Sequence, residues 1–262
     1  MQNKSILLGL IIVGCLALAG LIWVLVIAPP EVDPQAITPP AEFTASPTRR
    51  DLEISESTDA YKISVKYPEF ENLKNEEVNR AVNGLIKSEV ERQVEEFKKQ
   101  VSEIALEGFE HASTFDSRYE IINQNSDLLS LSFSSYSYVS GSAHGLGVTS
   151  SFNYNLKENK PMLLSDLFRK DSDYLYFLSE KSRTILKEKM GEYYVEDFVL
   201  SGTEPREENY AVYNFGKDKL AITFNVYQVA PYVAGPQSID ISYEEMRDLI
   251  NPEVVSVASG AE

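Results

Sequence analysis

Residues 61–68 read YKISVKYP and residues 75–106 read NEEVNRAVNGLIKSEVERQVEEFKKQVSEIAL. In the first stretch Tyr61, Ile63, Val65 and Tyr67 alternate with Lys62, Ser64 and Lys66. That period of two predicts a half-buried strand, which Pro68 is expected to stop. In the second, Val78, Ala81, Val82, Leu85, Ile86, Val90, Val94, Phe97, Val101 and Ile104 recur at steps of three and four. This spacing predicts a long helix with one apolar stripe, and Glu76/Arg80 and Glu95/Lys99 pair at i,i+4 on its polar side. A strand with one apolar face beside such a helix buries both by stacking a helix on a sheet.

Downstream, Tyr119 to Ile122 reads as a strand, and Leu129, Leu131 and Phe133 then alternate with serines. Tyr136 and Tyr138 fall on the opposite parity, so either a bulge intervenes or the tyrosines occupy the outer face of the same strand. Leu146, Val148, Phe152 and Tyr154 share one parity, which predicts a hairpin over 126–155 around Ser140-Gly141-Ser142-Ala143-His144-Gly145. Pro161 to Phe168 ends in a short turn with Ser165 as its cap, and 173–190 is a second amphipathic helix closed by Gly191. Tyr210–Phe215 and Leu220–Tyr227 form a second hairpin across Gly216-Lys217-Asp218, and a strand at Ser238–Ser242 enters a short helix at Tyr243–Ile250. Strands lie next to one another rather than alternating strictly with helices. The expected class is therefore α+β, with two antiparallel-sheet subdomains each covered by an amphipathic helix, 51–158 and 159–252.

Upstream, Ile6 to Ala28 is a run of 23 residues without a charge or a proline. As a helix it spans about 34 Å, a transmembrane length. Lys4 and the amino terminus precede it and Glu31 and Asp33 follow it, so residues 1–5 are expected in the cytoplasm and the bulk of the chain outside. Ile12-Val13-Gly14-Cys15 also looks like a lipoprotein signal, but the apolar run continues 13 residues past Cys15. An uncleaved single-pass anchor is the better reading. Residues 29–50 hold six of the twelve prolines and no apolar period, the composition of a stiff linker, and 253–262 reads as a flexible tail.

The 262 residues carry 24 Lys plus Arg against 40 Asp plus Glu, a formal net charge of −16. Such a charge repels nucleic acid and favours basic partners. Two histidines and one cysteine exclude disulfide scaffolds and Cys-rich zinc sites, and no cofactor or metal is expected. No Walker-type or dinucleotide glycine fingerprint and no G-x-S-x-G elbow occurs. Glu204, Glu207 and Glu208 lack a calcium-loop spacing and read as a solvated charge run. His111 has no neighbour at metal-ligand spacing. His144 lies two residues after Ser142, too close on a tight loop for a nucleophile and its base. The tip reads either as a turn bonded to its own backbone or as a contact element for a partner. Fifteen tyrosines suit a contact surface that must stay soluble, and the rigid Tyr227-Gln228-Val229-Ala230-Pro231-Tyr232-Val233-Ala234-Gly235-Pro236 stretch reads either as a stiff loop closing the sheet or as a scaffolded element that binds a partner.

At these residues the sequence resembles a pair of extracytoplasmic bacterial domains, found in RsiV-like anti-sigma factors and beside the catalytic domain of PdaC-like peptidoglycan deacetylases. The resemblance rests on Tyr136-Ser137-Tyr138 with Gly141-Ser142-Ala143-His144-Gly145, on Leu164-Ser165-Asp166-Leu167-Phe168, and on Tyr227-Gln228-Val229-Ala230-Pro231-Tyr232 with Gly235-Pro236. It covers about 59–250. The family more often has Gly-Gly before Ala-His, where this chain has Gly141-Ser142.

The resemblance implies a non-enzymatic, extracytoplasmic binding or sensor module, with lysozyme as ligand in the RsiV branch. Ser142, His144, Tyr138, Pro231 and Tyr232 are the expected ligand-binding residues, and the partner is a basic, lysozyme-like protein or a cell-wall component. The segment 1–5 is too short to bind a sigma factor, so anti-sigma activity does not carry over. Two other readings compete: a cell-wall hydrolase or deacetylase accessory protein, and a structural partner in envelope assembly. The binding reading requires the tip at 140–145 and the loop at 227–236 to lie close in space.

Overall fold

A computed structural model describes residues 47–104 and 112–260. The expected cytoplasmic tail, the apolar span at 6–28, most of the linker and His111 lie outside the described residues. Among the described residues no helix is long and apolar enough to cross a membrane.

The fold is α+β, with a six-stranded and a three-stranded sheet. The larger sheet runs β1 (Thr48–Ser57), β2 (Tyr61–Glu71), β3 (Ser113–Gln124), β4 (Leu128–Tyr138), β5 (Leu146–Asn155) and β6 (Lys160–Pro161), in that order. Helix α1 (Glu76–Ile104) falls between β2 and β3 and buries Val78, Val82, Ile86, Val90, Val94, Phe97 and Val101. These meet Ile63, Val65, Tyr67, Phe70, Phe115, Leu129 and Leu131 from the sheet in one core cluster. Each such side chain contributes about 1.5–3 kcal/mol by leaving water. Asn75 starts the helix by accepting the Val78 N–H on its Oδ1 at 2.9 Å, and Glu76 and Glu77 face the positive helix end.

Three expectations change here. The larger sheet is mixed rather than antiparallel, because β2 and β3 pair in parallel, Tyr61 opposite Ser113 through Val65 opposite Ser117. A parallel neighbour needs a crossover, and the long helix supplies it. The strand also runs past Pro68 to Glu71. Beyond Val65, β2 has only β1 as a neighbour, and a proline fits a strand with one free side. The β1 strand itself begins at Thr48, inside the expected linker. Tyr119 donates to Asp51, the Arg49 guanidinium lies 5.6 Å from the Tyr119 ring centre, and Arg50 pairs with Glu69.

The tyrosine parity resolves without a bulge at that point. Between β4 and β5 the register is continuous from Leu128/Asn155 to Ser137/Leu146. The irregularity lies earlier, in β3 between Ile121 and Asn123. Tyr136 and Tyr138 therefore occupy the outer face.

The second core gathers on the three-stranded sheet, β7 (Tyr213–Phe215), β8 (Lys219–Phe224) and β9 (Gln237–Ser242), which is antiparallel throughout. Helix α2 (Tyr174–Lys189) and the short α3 (Glu196–Gly202) contribute Leu178, Leu186 and Val199 to it, and Gly191 ends α2 with a φ of 52°. Leu128 of β4 also belongs to this core, so the outer face of the larger sheet is where the second subdomain packs. The contact is polar as well. Asn214 donates to Ser130 Oγ at 3.0 Å and to the Leu131 carbonyl at 2.8 Å, and Asn153 donates to the Tyr213 carbonyl at 2.8 Å.

Three local expectations are corrected. Ser165 lies inside a 3-10 turn, Leu164–Leu167, and it is Asp166 that reaches back to the Leu163 N–H at 2.8 Å. Residues 243–249 form successive turns rather than a helix; Arg169 binds the carbonyls of Arg247, Asp248 and Ile250 across their end. The expected flexible tail is instead helix α4 (Pro252–Ser259), capped by Asn251 and closed by Gly260 at a φ of 65°. Asn123 and Asn125 of the first subdomain bind the Ala258 and Val257 carbonyls at 2.8 and 3.0 Å, which fastens it.

Candidate functional site

The β4–β5 tip and the connection after β8 meet. The tip turns at Val139–Ser142, where the Ser142 N–H donates to the Val139 carbonyl at 3.0 Å and Gly141 takes a φ of 88°. Such a φ costs glycine little, since it has no Cβ. His144 follows, exposed, and then the buried Gly145. A Cβ at Gly145 would lie 2.2 Å from Tyr136 Oη, so the missing side chain is what lets the Tyr136 ring lie over this backbone.

The opposing loop is built on Asn225. Its side chain accepts the Thr149 N–H at 2.7 Å and donates to the Thr149 carbonyl at 3.0 Å. Below it, Gln228 accepts the Asn225 N–H on Oε1 at 3.2 Å and donates from Nε2 to the carbonyls of Gly202 and Asn209 at 3.1 and 2.8 Å. Pro231 then begins a 3-10 turn, Tyr232–Ala234, that Gly235 ends at a φ of 68°.

Three rings gather where the loops touch. His144 and Tyr232 pack with centres 4.3 Å apart and planes tilted by 31°, and Tyr227 lies 5.5 Å from Tyr232 and 6.4 Å from His144. Tyr232 Oη donates to the Gly145 carbonyl at 2.8 Å, and His144 Nδ1 lies 2.9 Å from the same oxygen. A carbonyl only accepts, so Nδ1 carries a hydrogen, and Nε2 forms a hydrogen bond with Tyr227 Oη at 3.2 Å. Both imidazole nitrogens are thereby occupied, and neither turns to Ser142, which sits exposed at the tip.

Of the residues singled out in the sequence, His144 and Tyr232 are in direct contact. Pro231 positions Tyr232 by accepting the Ala234 N–H at 3.0 Å. Tyr138 sits half-buried opposite Thr114 at the end of β4, outside the ring stack. Sequence reasoning missed Tyr227, Tyr136 and the Asn225 clamp. Tyr227 opens the quoted loop, yet its left-handed backbone, φ 68°, leaves no trace in residue order. For a bulky side chain that conformation costs about 1–3 kcal/mol. The exposed apolar surface beside the rings includes Val233 at 74% exposure. Among the described residues no group of three or more His, Cys, Asp or Glu could hold a metal ion.

Two family models match the chain in tandem. Residues 54–147 match the one described as deacetylase PdaC, and residues 165–244 match a protein of unknown function, DUF3298. The chain is also 28% identical over 199 residues to the peptidoglycan-N-acetylmuramic acid deacetylase PdaC of Bacillus subtilis strain 168. That alignment takes in 76% of this chain and 41% of the relative, so the chain spans less than half of it. A crystal structure of a DUF3298 family member from Bacteroides fragilis is similar over 83% of this chain and 99% of its own, with a TM-score of 0.64 at 17% identity. One from Pseudomonas aeruginosa PAO1 covers 81% and 97%, with a TM-score of 0.53 at 12% identity. These two likenesses concern the fold. The chain thus carries a PdaC-type region followed by a DUF3298-type region, related to a peptidoglycan deacetylase. The ring cluster joins the tip of the first to the long loop of the second.

Proposed function

We propose that this pair of regions is an extracytoplasmic binding module that recognises a protein ligand and performs no chemistry itself. The observation that carries the reading is the ring cluster at the junction: Tyr227 is 40% exposed, Tyr136 over the neighbouring Gly145 is 45% and Val233 74% exposed, and both imidazole nitrogens are hydrogen-bonded. Tyrosine-rich, half-exposed surfaces on a stiff frame suit protein contact, because each ring brings area at little entropic cost. A net charge of −16 steers a basic ligand toward it. Lysozyme is the specific ligand proposed, and the apolar run at 6–28 is proposed as a single-pass anchor with the folded part outside the cell. Anti-sigma activity is not part of the proposal.

Calorimetric titration of the full chain, solubilised in non-ionic detergent, with a c-type lysozyme tests this at low and at high salt. A basic protein of similar charge serves as control. Tight binding that survives salt and is absent for the control supports the reading; equal, salt-sensitive binding to both, or none, overturns it. The name of the Bacillus relative supports a second reading, an accessory role in peptidoglycan deacetylation. Binding to purified peptidoglycan in place of lysozyme would favour it.

A further inference from the structure

Residues 225–228 make a tight turn in which the Gln228 N–H donates to the Asn225 carbonyl at 3.0 Å. Tyr227 is the third residue of that turn and has a φ of 68°, whereas Val226 does not share the left-handed region. This is the type II pattern, whose third position suits glycine or asparagine because a Cβ there crowds the backbone. The other non-glycine residues with positive φ, among those described, are Asn72, Asn159 and Asp171. All three are the short polar kind that tolerates the region. Tyr227 is the exception: an aromatic ring where the backbone asks for no side chain.

The local return on that strain is small. The hydrogen bond between Tyr227 Oη and His144 lies between exposed groups, where water competes, and the residue stays 40% exposed. The turn is nevertheless held rigidly from below. Gln228 ties it to the Gly202 and Asn209 carbonyls, and the Gln228 backbone packs so closely on Gly202 that a Cβ there would lie 2.0 Å from its carbonyl oxygen. A strained conformation fixed by its surroundings, with the side chain packed on the edge of the ring group and still 40% exposed, marks a presented group.

We propose that Tyr227 is the anchor of the ligand-binding surface, a ring held at the exposed edge of the Tyr232–His144 pair for contact with a basic protein partner. This rests on the binding reading above and names the residue that reading lacked. Buried aromatic anchors carry most of the energy of protein interfaces, and a ring held rigidly before binding loses little freedom on docking.

The test compares wild type with Tyr227→Gly in the full chain in detergent, reading both melting temperature and affinity for c-type lysozyme. Glycine relieves the backbone, so the melting temperature is expected to hold or rise by up to ~4 °C. Affinity is expected to fall by ~30-fold or more, the loss of an aromatic hot spot. Affinity within about threefold of wild type overturns the proposal while leaving the binding reading intact. Loss of binding together with a fall in melting temperature of ~5 °C or more also overturns it, since Tyr227 is then a latch between the two regions. Failure of wild type itself to bind lysozyme overturns both.

Discussion

Asn225 and Thr149 exchange two hydrogen bonds across the junction of the two regions, Thr149 N–H to Asn225 Oδ1 at 2.7 Å and Asn225 Nδ2 to the Thr149 carbonyl at 3.0 Å. The side-chain amide thus takes the place of a neighbouring strand along β5. The clamp helps position the rings, since Tyr227 follows two residues after Asn225 and His144 lies on the tip that leads into β5. Asn225→Ala leaves both Thr149 groups without their partner. We expect a loss of about 1–3 kcal/mol in denaturant unfolding, with Asn225→Asp close behind because a carboxylate cannot donate to the Thr149 carbonyl.

Gly202 controls the same loop from the other side. A Cβ there meets Gln228 backbone atoms rather than the yielding end of a side chain. Gly202→Ala must push the turn outward, at a cost of about 1–3 kcal/mol. It should weaken ligand affinity as well as stability, although residue 202 is not itself among the rings. Denaturant titration and calorimetry on the same variant check the two effects together.

Alkaline pH loads the second core. Burial pushes the phenols of Tyr210 and Tyr213 up from 10 to about 12, because a phenolate there would lose its water. Tyr210 donates to the Thr203 carbonyl and Tyr213 to the Met162 carbonyl, bonds available only to the neutral form. A folded value above the unfolded one favours the protonated folded state. The stability it supplies is complete below pH 10 and is lost as pH rises toward 12. Melting temperature should therefore fall across that window. Tyr213→Phe should make the fall shallower, as followed by circular dichroism.

Much of this arrangement was legible in the residue order. The apolar stripe from Val78 to Val101 specified its helix to within a residue or two, and the alternation around Leu129 and Leu220 marked both hairpins, although the second is shorter than expected, with Tyr210 in a 3-10 turn and Tyr227 in the turn after β8. The glycines of the β4–β5 tip marked a turn, and the prolines after Tyr227 marked a stiff loop. Strand β1 escaped notice because an edge strand exposes most of its residues. Only Leu52 and Ile54 are apolar in it, beside a run of charges. Parallel pairing of β2 with β3 escaped as well, since period-two patterning is the same for either direction. Helix α4 is too short for periodicity to declare, and it is fixed by Asn123 and Asn125 more than a hundred residues away. The contact of His144 with Tyr232 could only be required by the functional reading, not read from spacing. Tyr227 entered the site through a backbone angle that no composition reveals.

The central claim is that the junction rings are the contact surface, and Tyr232→Ala tests it most directly. Tyr232 packs on His144 at 4.3 Å and ties the loop to Gly145. The measurement is calorimetric affinity of the full-length variant for c-type lysozyme, beside its melting temperature. The account predicts a loss of about 2–4 kcal/mol in binding free energy with the fold retained. Wild-type affinity in the folded variant would contradict it.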